Sequence, residues 1–408
     1  MGEILNDICE LIVDCEHKTA PTQSDGYPSI RTPNLGRGEF LLDGVNRVSE
    51  DTYNAWTRRA IPKEKDIILA REAPIGNAAI IPKNLKVCLG QRTVLIRPNK
   101  KKVLPEYLLY LLIGDEIQNR ILSISSGATV PHLNMEDIRN LNLPSLPKYS
   151  WQEKISSILY NYYKLIEKNT RRIHILEEMA QRIYKEWFVD FKYPGHENDQ
   201  MVDSELGIIP EGWEVKRLDN FVSFDRGTEP GSKNYLEMWV EGVVPFFRVG
   251  DLGSRNKKIF IHINLAINKL LKYDDIVISM DGTVGIVKTG LEGCFSTSIR
   301  KCRIIDDYIN SPYLFYALKS KNIQSTIKAH ATGATILHAS SSIKHIKIAL
   351  CPKNTMESFF ELVNPIYLLK KTLKNKNENL RQTRDLLLPK LISGKIDVSD
   401  LDIEIGET

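Results

Sequence analysis

Two sets of polar, basic, glycine-marked loops hold the residues best suited to chemistry. The first set has Arg31, Asn34 and Arg37 in Arg31-Thr32-Pro33-Asn34-Leu35-Gly36-Arg37, then Arg71, then Gln91-Arg92-Thr93. It closes on Ser126, Thr129 and His132 around Gly127. The second set has Arg248 and Asp251 around Gly250, followed by Ser254, Arg255, Lys257 and Lys258. It continues with Thr283 after Asp281-Gly282, Ser296-Thr297-Ser298-Ile299-Arg300, and Thr332, Thr335 and His338 around Gly333. Arginine and lysine pair with phosphates or with a guanine edge, amides match adenine, and hydroxyls serve either. A single charged loop is usually only solvated. Matching loops at corresponding points of two halves of a chain point to nucleic acid. Arg31, Arg92, Arg248 and Arg300 sit beside strands and are the candidates for guanine or phosphate. Loop histidines such as His132 and His338 are more often solvated than engaged.

No constellation for catalysis accompanies these loops. There is no Gly-x-x-x-x-Gly-Lys-Ser/Thr phosphate loop, no Gly-x-Ser-x-Gly elbow and no His-Glu-x-x-His. Asn310-Ser311-Pro312-Tyr313 resembles the Asn-Pro-Pro-Tyr loop of amino-methyltransferases. Ser311 replaces its first proline, however, and the other half of the chain has Val103-Leu104-Pro105-Glu106 at the equivalent place. Pro312 is better explained as the first residue of a helix, where proline is tolerated. The eight histidines show no metal spacing, and the six cysteines include no Cys-x-x-Cys. No metal and no resident cofactor are expected, and reduced thiols are the default.

The elements that must position the loops are dominated by two long helices. Trp151 to Phe191 contains neither glycine nor proline. Ile155, Leu159, Tyr162, Ile166, Asn169, Ile173, Leu176, Ala180, Ile183 and Trp187 fall on one stripe at alternating steps of four and three, the pattern of a coiled coil. Asn169 is the one polar member, which marks it as a register device. A second helix over residues 356–392 carries Phe359, Leu362, Ile366, Leu369, Leu373, Leu380 and Leu387 on its expected seam, with Lys376 and Thr383 as interruptions. Pro365 is expected to bend its first turns.

The rest of the chain repeats. Asp66-Ile67-Ile68-Leu69 with Gly76 answers Asp275-Ile276-Val277-Ile278 with Gly285, and Pro105 answers Pro312. Gly127-Ala128-Thr129 answers Gly333-Ala334-Thr335, and Pro28-Ser29-Ile30-Arg31 answers Pro245-Phe246-Phe247-Arg248. Strands are expected at Asp66–Ala70, Ala78–Ile81, Thr93–Ile96, Asp275–Ser279 and Gly285–Lys288. One helix is expected from Pro105 to Ile124, and Met135–Leu143 reads as returning to strand. The fold class is therefore mixed α/β: two similar domains, separated by two long antiparallel helices with a pseudo-two-fold internal repeat. The boundaries read as domain 1–147, helix 148–192, linker 193–213, domain 214–353, helix 354–395 and acidic tail 396–408, the tail ordered poorly or late.

Composition permits this and adds little. With 42% hydrophobic and 8% aromatic residues in 408, two real cores can form. A net charge of +4 is compatible with nucleic acid but too mild to argue for it. The N-terminus lacks a basic start and apolar run, and no stretch is apolar enough to span a bilayer. A cytoplasmic protein is expected.

At this point the residues resemble a family. Arg182-Ile183-Tyr184-Lys185-Glu186-Trp187-Phe188-Val189-Asp190-Phe191, Leu206-Gly207-Ile208-Ile209-Pro210-Glu211-Gly212-Trp213-Glu214-Val215 and Leu386-Leu387-Leu388-Pro389-Lys390-Leu391-Ile392-Ser393-Gly394-Lys395-Ile396 are similar to the specificity subunit of type I restriction–modification systems. The likeness covers nearly the whole chain. It implies two target recognition domains, each reading half of a split asymmetric duplex DNA site, with the helices as ruler. It also implies two modification subunits that hold S-adenosylmethionine and methylate adenine. Restriction subunits would add a nuclease and a motor using ATP and magnesium. The chain itself would be non-catalytic. The rival readings are a fused adenine DNA methyltransferase, which needs a cofactor-binding βαβ unit, and a coiled-coil scaffold, which leaves the repeated loops unexplained.

Overall fold

The computed structural model describes residues 2–126, 131–253, 259–266, 268–333 and 336–401. The chain divides into two compact units. Unit 1 is Met1–Lys168 with Asn377–Thr408, and unit 2 is Asn169–Lys376.

Unit 1 is built on a four-stranded antiparallel sheet, in the order Cys9–Asp14, Thr93–Pro98, Ile67–Ala70, Ala78–Ile80. The run Ile67-Ile68-Leu69-Ala70 is apolar at every position and wholly buried. Alternate residues of a strand face opposite sides, and here both sides are covered. Ile67 and Leu69 pack with Tyr107, Leu111 and the other residues of the helical side. Ile68 and Ala70 pack with Ile30 and Leu89 of a second sheet and with Leu35 beside it. That sheet joins Arg47–Val48, Tyr27–Ile30 and Cys88–Leu89, and the last two strands are parallel. Glu3–Ile4 pairs with Asn142–Leu143.

Unit 2 repeats the plan. Its first sheet runs Val222–Arg226, Ile299–Ile304, Ile276–Ser279, Val287–Lys288. Its second runs Phe260–His262, Val243–Phe247, Gly293–Phe295, Leu270–Leu271, again with one parallel pair. Glu214–Arg217 pairs with Lys347–Leu350, as Glu3–Ile4 pairs in unit 1. One bracing device is identical in both. The Gln118 amide donates to the carbonyls of Gly76 at 2.9 Å and Leu112 at 2.8 Å. The Gln324 amide donates to Gly285 at 2.9 Å and Leu318 at 2.7 Å. Gly76 and Gly285 have φ of 80° and 85°, where a side chain is strained, and a Cβ at either would collide with the glutamine.

Several local expectations change. The helix expected from Pro105 to Ile124 is two helices, Pro105–Ile113 and Asp115–Ile124, broken where Gly114 turns to extended backbone. The matching break is at Ser320, between Ser311–Lys319 and Lys321–Ala329. The glutamine braces then equate Pro105 with Ser311, so Pro312 is the second helical residue rather than the first. Asn310 caps that helix, its Oδ1 accepting from the Tyr313 N–H at 3.0 Å, which is a structural role for the Asn-Ser-Pro-Tyr stretch. Met135–Arg139 is a helix and only Asn142–Leu143 is strand, because Asn134 and Asp137 form a capping box. Residues 193–213 hold a hairpin of Met201–Ser204 with Gly207–Pro210. The tail begins anchored, with Val398 fully buried and the Lys154 ammonium donating to the Ser399 carbonyl at 2.6 Å. Residues 402–408 of the tail lie outside the described residues.

The long helices span Tyr149–Phe188 and Lys353–Ile392. In unit 1, Ile155 and Leu159 share a core with Leu388 and Leu391, and the Arg384 guanidinium lies 5.1 Å from the centre of the Tyr163 ring. The Asn377 amide donates to the Ile166 carbonyl at 3.3 Å. In unit 2, Tyr184 and Trp187 pack on Phe359, and Glu177 is paired with Lys370. Later residues of one helix meet earlier residues of the other, so the pairing is antiparallel. On the first helix, Ile155, Leu159, Ile166, Asn169, Ala180 and Trp187 are buried, and Tyr162, Ile173, Leu176 and Ile183 are half-buried.

The second seam needs correction. Leu362 and Leu369 are each 48% exposed, while Val363, Lys370, Asn377 and Arg384 are buried. The stripe runs Phe359, Val363, Ile366, Lys370, Leu373, Asn377, Leu380, Arg384, Leu387, Leu391 and keeps its period through three polar residues. Leu362 and Leu369 sit one place off it, and hydrophobicity alone drew them in. The helix continues through Pro365.

Candidate nucleic-acid interface

In unit 1 the loop residues gather along the ends of the two sheets. Arg31 caps the short Thr32–Asn34 turn, with the Asn34 Oδ1 accepting from its N–H at 3.0 Å. Gln91 donates to the His17 carbonyl at 3.2 Å. Arg92, at a φ of 69°, pairs with Glu72 at 2.9 Å and leaves its side chain 60% exposed. Ser126 contacts His132 at 3.0 Å, and His132 bridges to the backbone of Glu72. Thr129 lies outside the described residues.

Three expected residues of unit 1 serve the fold instead. The Arg71 guanidinium donates to Asp14 at 2.6 Å and to the Leu133 carbonyl at 3.0 Å, and is only 15% exposed. Thr93 is fully buried and donates to the Gly90 carbonyl at 2.8 Å. Arg37 ties to the helix junction through the Ile113 carbonyl at 2.6 Å and Asp115 at 2.8 Å. Each is spent on a partner before any ligand arrives.

In unit 2 the structure collects Arg248, Ser296, Thr297, Ser298, Arg300 and His338 around one cleft of ≈ 830 Å³. Arg248 repeats Arg31: it caps Val249–Leu252, and the Asp251 carboxylate accepts from its N–H at 2.8 Å. Arg248 also lies 5.8 Å from the centre of the Tyr235 ring. His338 pairs with Asp281 at 2.7 Å. Arg300 is 7% exposed and braced by the Thr297 carbonyl and, at 2.6 Å, the Ser340 hydroxyl. Burial pulls its guanidinium below the usual arginine range, with nearby Asp281 opposing that. Thr283 and Thr332 are exposed and do not line the cleft. Ser254, Arg255, Lys257, Lys258 and Thr335 lie outside the described residues.

Sequence reasoning did not single out Arg226, Glu229 and Ser340, which also line the cleft. The repeat itself hid Arg226, because the equivalent residue of the first half is Asp14. The usable signal was its place at the end of a strand, immediately before Gly227. Asp14, Cys15 and His17 also come close enough together to suggest a metal group. Asp14, however, is already bound to Arg71 and to His17, the latter at 2.8 Å.

The arrangement offers guanidinium, amide and hydroxyl donors at the loop edge of each unit, which suits phosphates and base edges. Comparison with known proteins agrees. The family model described as "Type I restriction modification DNA specificity domain" matches residues 4–178 and again 210–382. The type I restriction enzyme MjaIX specificity subunit of Methanocaldococcus jannaschii is 28% identical over 92% of this chain and 88% of its own length. The HindI specificity subunit of Haemophilus influenzae is 25% identical over 91% and 95%. The crystal structure of the type I restriction–modification S subunit from M. genitalium shares the fold, with a TM-score of 0.55 at 15% identity, covering 96% of this chain and 95% of that one. With two copies of the domain spanning most of its length, the chain belongs to the type I restriction–modification DNA specificity family.

Proposed function

We propose that this chain is the DNA-recognition subunit of a type I restriction–modification assembly and not itself an enzyme. The observation that carries this is the specificity domain occurring twice, with most of each copy in one unit that has its own two sheets and an arginine-bearing loop edge. Each unit reads one half of a bipartite, asymmetric duplex target. Residues 1–147 and 214–353 form the two recognition domains, and 148–192 and 354–395 form the spacer helices. Two modification subunits dock on the helices and carry S-adenosylmethionine for adenine methylation. Restriction subunits, with ATP and magnesium, complete the nuclease form. No helix among the described residues is long and apolar enough to cross a membrane, and the assembly works in the cytoplasm.

In this reading Arg31, Gln91, Arg92, Ser126 and His132 face DNA in unit 1. Arg248, Ser296, Thr297, Ser298 and His338 do so in unit 2, with the basic Ser254–Lys258 stretch as a further contact. The test is a domain exchange. Residues 1–147 are replaced by the same segment of a related subunit, and the hybrid is co-expressed with its methyltransferase subunit. Methylation-site sequencing is expected to show one half of the target changed and the other kept. A change in both halves would refute modular reading. An electrophoretic shift on duplex DNA, with and without the methyltransferase subunit, separates recognition from a scaffold role.

A further inference from the structure

The cleft of unit 2 and its counterpart in unit 1 share a fold but differ in charge. Strand register fixes the equivalence. Ala70 pairs with Thr93 as Ser279 pairs with Ile299, so Val94 corresponds to Arg300. Asp14 pairs with Val94 as Arg226 pairs with Arg300, so Asp14 corresponds to Arg226. In unit 1 this corner is neutralised: Val94 is fully buried, and the Asp14 carboxylate is bound by Arg71 and His17. In unit 2 the place of Arg71 is taken by buried Met280. Two guanidinium groups now stand on directly paired residues of adjacent strands, an arrangement that repels.

Asp281 offsets part of that repulsion at Arg300, but neither arginine is bonded to a carboxylate among the described residues. Arg300 is braced by a carbonyl and a hydroxyl, neither of them an anion. Arg226 is exposed and has no carboxylate partner among the described residues. The two carboxylates of the cleft hydrogen-bond to other groups, Asp281 to His338 at 2.7 Å and Glu229 to the Tyr235 hydroxyl at 2.9 Å. A third observation is independent of charge. Ser296 is 5% exposed, lines the same cleft, and its hydroxyl has no hydrogen-bond partner. A buried polar group without a partner is costly and calls for a ligand.

We propose that this cleft seats a backbone phosphate of DNA, held by Arg226, Arg300 and the Ser296 hydroxyl, and that unit 1 has no equivalent seat. This rests on the reading of the chain as a DNA-recognition subunit. A recess suits a projecting phosphate better than a base edge, which stays inside its groove. A phosphate accepts from guanidinium and hydroxyl donors alike. The second half-site is then anchored more strongly than the first, without regard to its sequence.

The experiment uses the full chain with its methyltransferase subunit and measures duplex affinity across a salt series, for the target and for a scrambled second half-site. Arg226→Ala is expected to weaken both duplexes alike, by about eightfold at 0.1 M salt, and to lower the salt slope by about 0.9, the signature of one lost phosphate. Arg226→Lys is expected to restore most of the loss. Relaxed preference at one base pair with an unchanged slope would make Arg226 a base reader and overturn the seat, and so would unchanged affinity. A titration of inorganic phosphate followed by ³¹P NMR supplies a DNA-free readout. Binding lost in Arg226→Ala supports the seat, and no binding to the parent chain overturns it. Phosphate bound by a chain that binds no duplex would sink the DNA reading and leave an anion site. Duplex bound with the same slope by both proteins would sink the seat and leave the DNA reading.

Discussion

Residue by residue, the arginines separate by what already holds them. Arg71 is half-buried against Asp14, with its side chain only 15% exposed, whereas Arg92 extends into solvent from a single pair with Glu72. Arg71→Ala leaves a nearly buried carboxylate short of its main partner and is expected to cost about 3 kcal/mol in a urea melt. Arg92→Ala is expected to stay within about 0.5 kcal/mol of the parent while weakening duplex binding. Equal losses of stability would refute the distinction. Glu177 allows a pH test. Burial by itself would push its carboxyl up, but Lys370 and Lys319 outweigh that and hold it down at about 2, against 4.5 for a free glutamate. A depressed carboxyl stabilises the fold above its unfolded pKa and loses that contribution as pH falls towards the folded value. Acid unfolding between about pH 4.5 and 2 is therefore expected to be shallower in Glu177→Gln than in the parent. The same variant is expected to be about 3 kcal/mol less stable at pH 7, because Lys370 is left buried without its charge partner. Superimposable acid profiles would remove Glu177 from the account.

At the scale of elements, the second long helix shows how a seam can be polar and still be a seam. Lys370 meets Glu177 and Tyr316, Arg384 lies over Tyr163, and Asn377 donates to a carbonyl of the facing helix. Each polar residue has a designated partner, which fixes alignment in the way a buried asparagine does. The corrected stripe makes a sharp contrast. Leu369→Lys is expected to change stability by less than about 0.5 kcal/mol. Leu373→Ala is expected to cost about 2–5 kcal/mol, and Val363→Lys at least as much, since it buries an unpaired ammonium. Thermal melts of the three variants decide it; a destabilised Leu369→Lys would restore the original seam. Asn169 is buried on the first seam, and Asn169→Leu is expected to raise stability while loosening helix register.

For the whole molecule, the proposal turns on the helices as a spacer. Each has 40 residues, so about 60 Å at about 1.5 Å per residue. Half-sites on one face of DNA recur about every 34–36 Å, so centres about one turn apart suit this length and two turns overreach it. Matched insertions of about seven residues after Ile173 and after Leu373 add about 10 Å, close to three base pairs at about 3.4 Å each. The preferred spacer is expected to lengthen with both half-site sequences unchanged, as read by methylation-site sequencing of cells expressing the variant with its methyltransferase. An unchanged spacer in an active complex would mean the helices are not the ruler.

The sequence alone determined whatever depends on period and punctuation. The apolar stripe from Ile155 to Trp187 gave the first helix and its buried face, because a 3.6-residue repeat sustained over that length has one structural meaning. Apolar runs such as the one in Asp66–Ala70 marked strands, and the recurrence of such runs with their glycines showed the chain to be doubled. Tertiary structure decided what depends on partners. Lys370, Asn377 and Arg384 belong to a seam only because Glu177, the Ile166 carbonyl and Tyr163 face them, and no hydropathy reading sees a facing residue. Arg71, Arg37 and Thr93 looked like ligand-binding groups until the fold supplied Asp14, Asp115 and the Gly90 carbonyl. Arg226 went unnoticed for the same reason. Its significance is that it faces Arg300 with no carboxylate partner among the described residues, and strand register, a contact between residues far apart in sequence, is what sets one against the other.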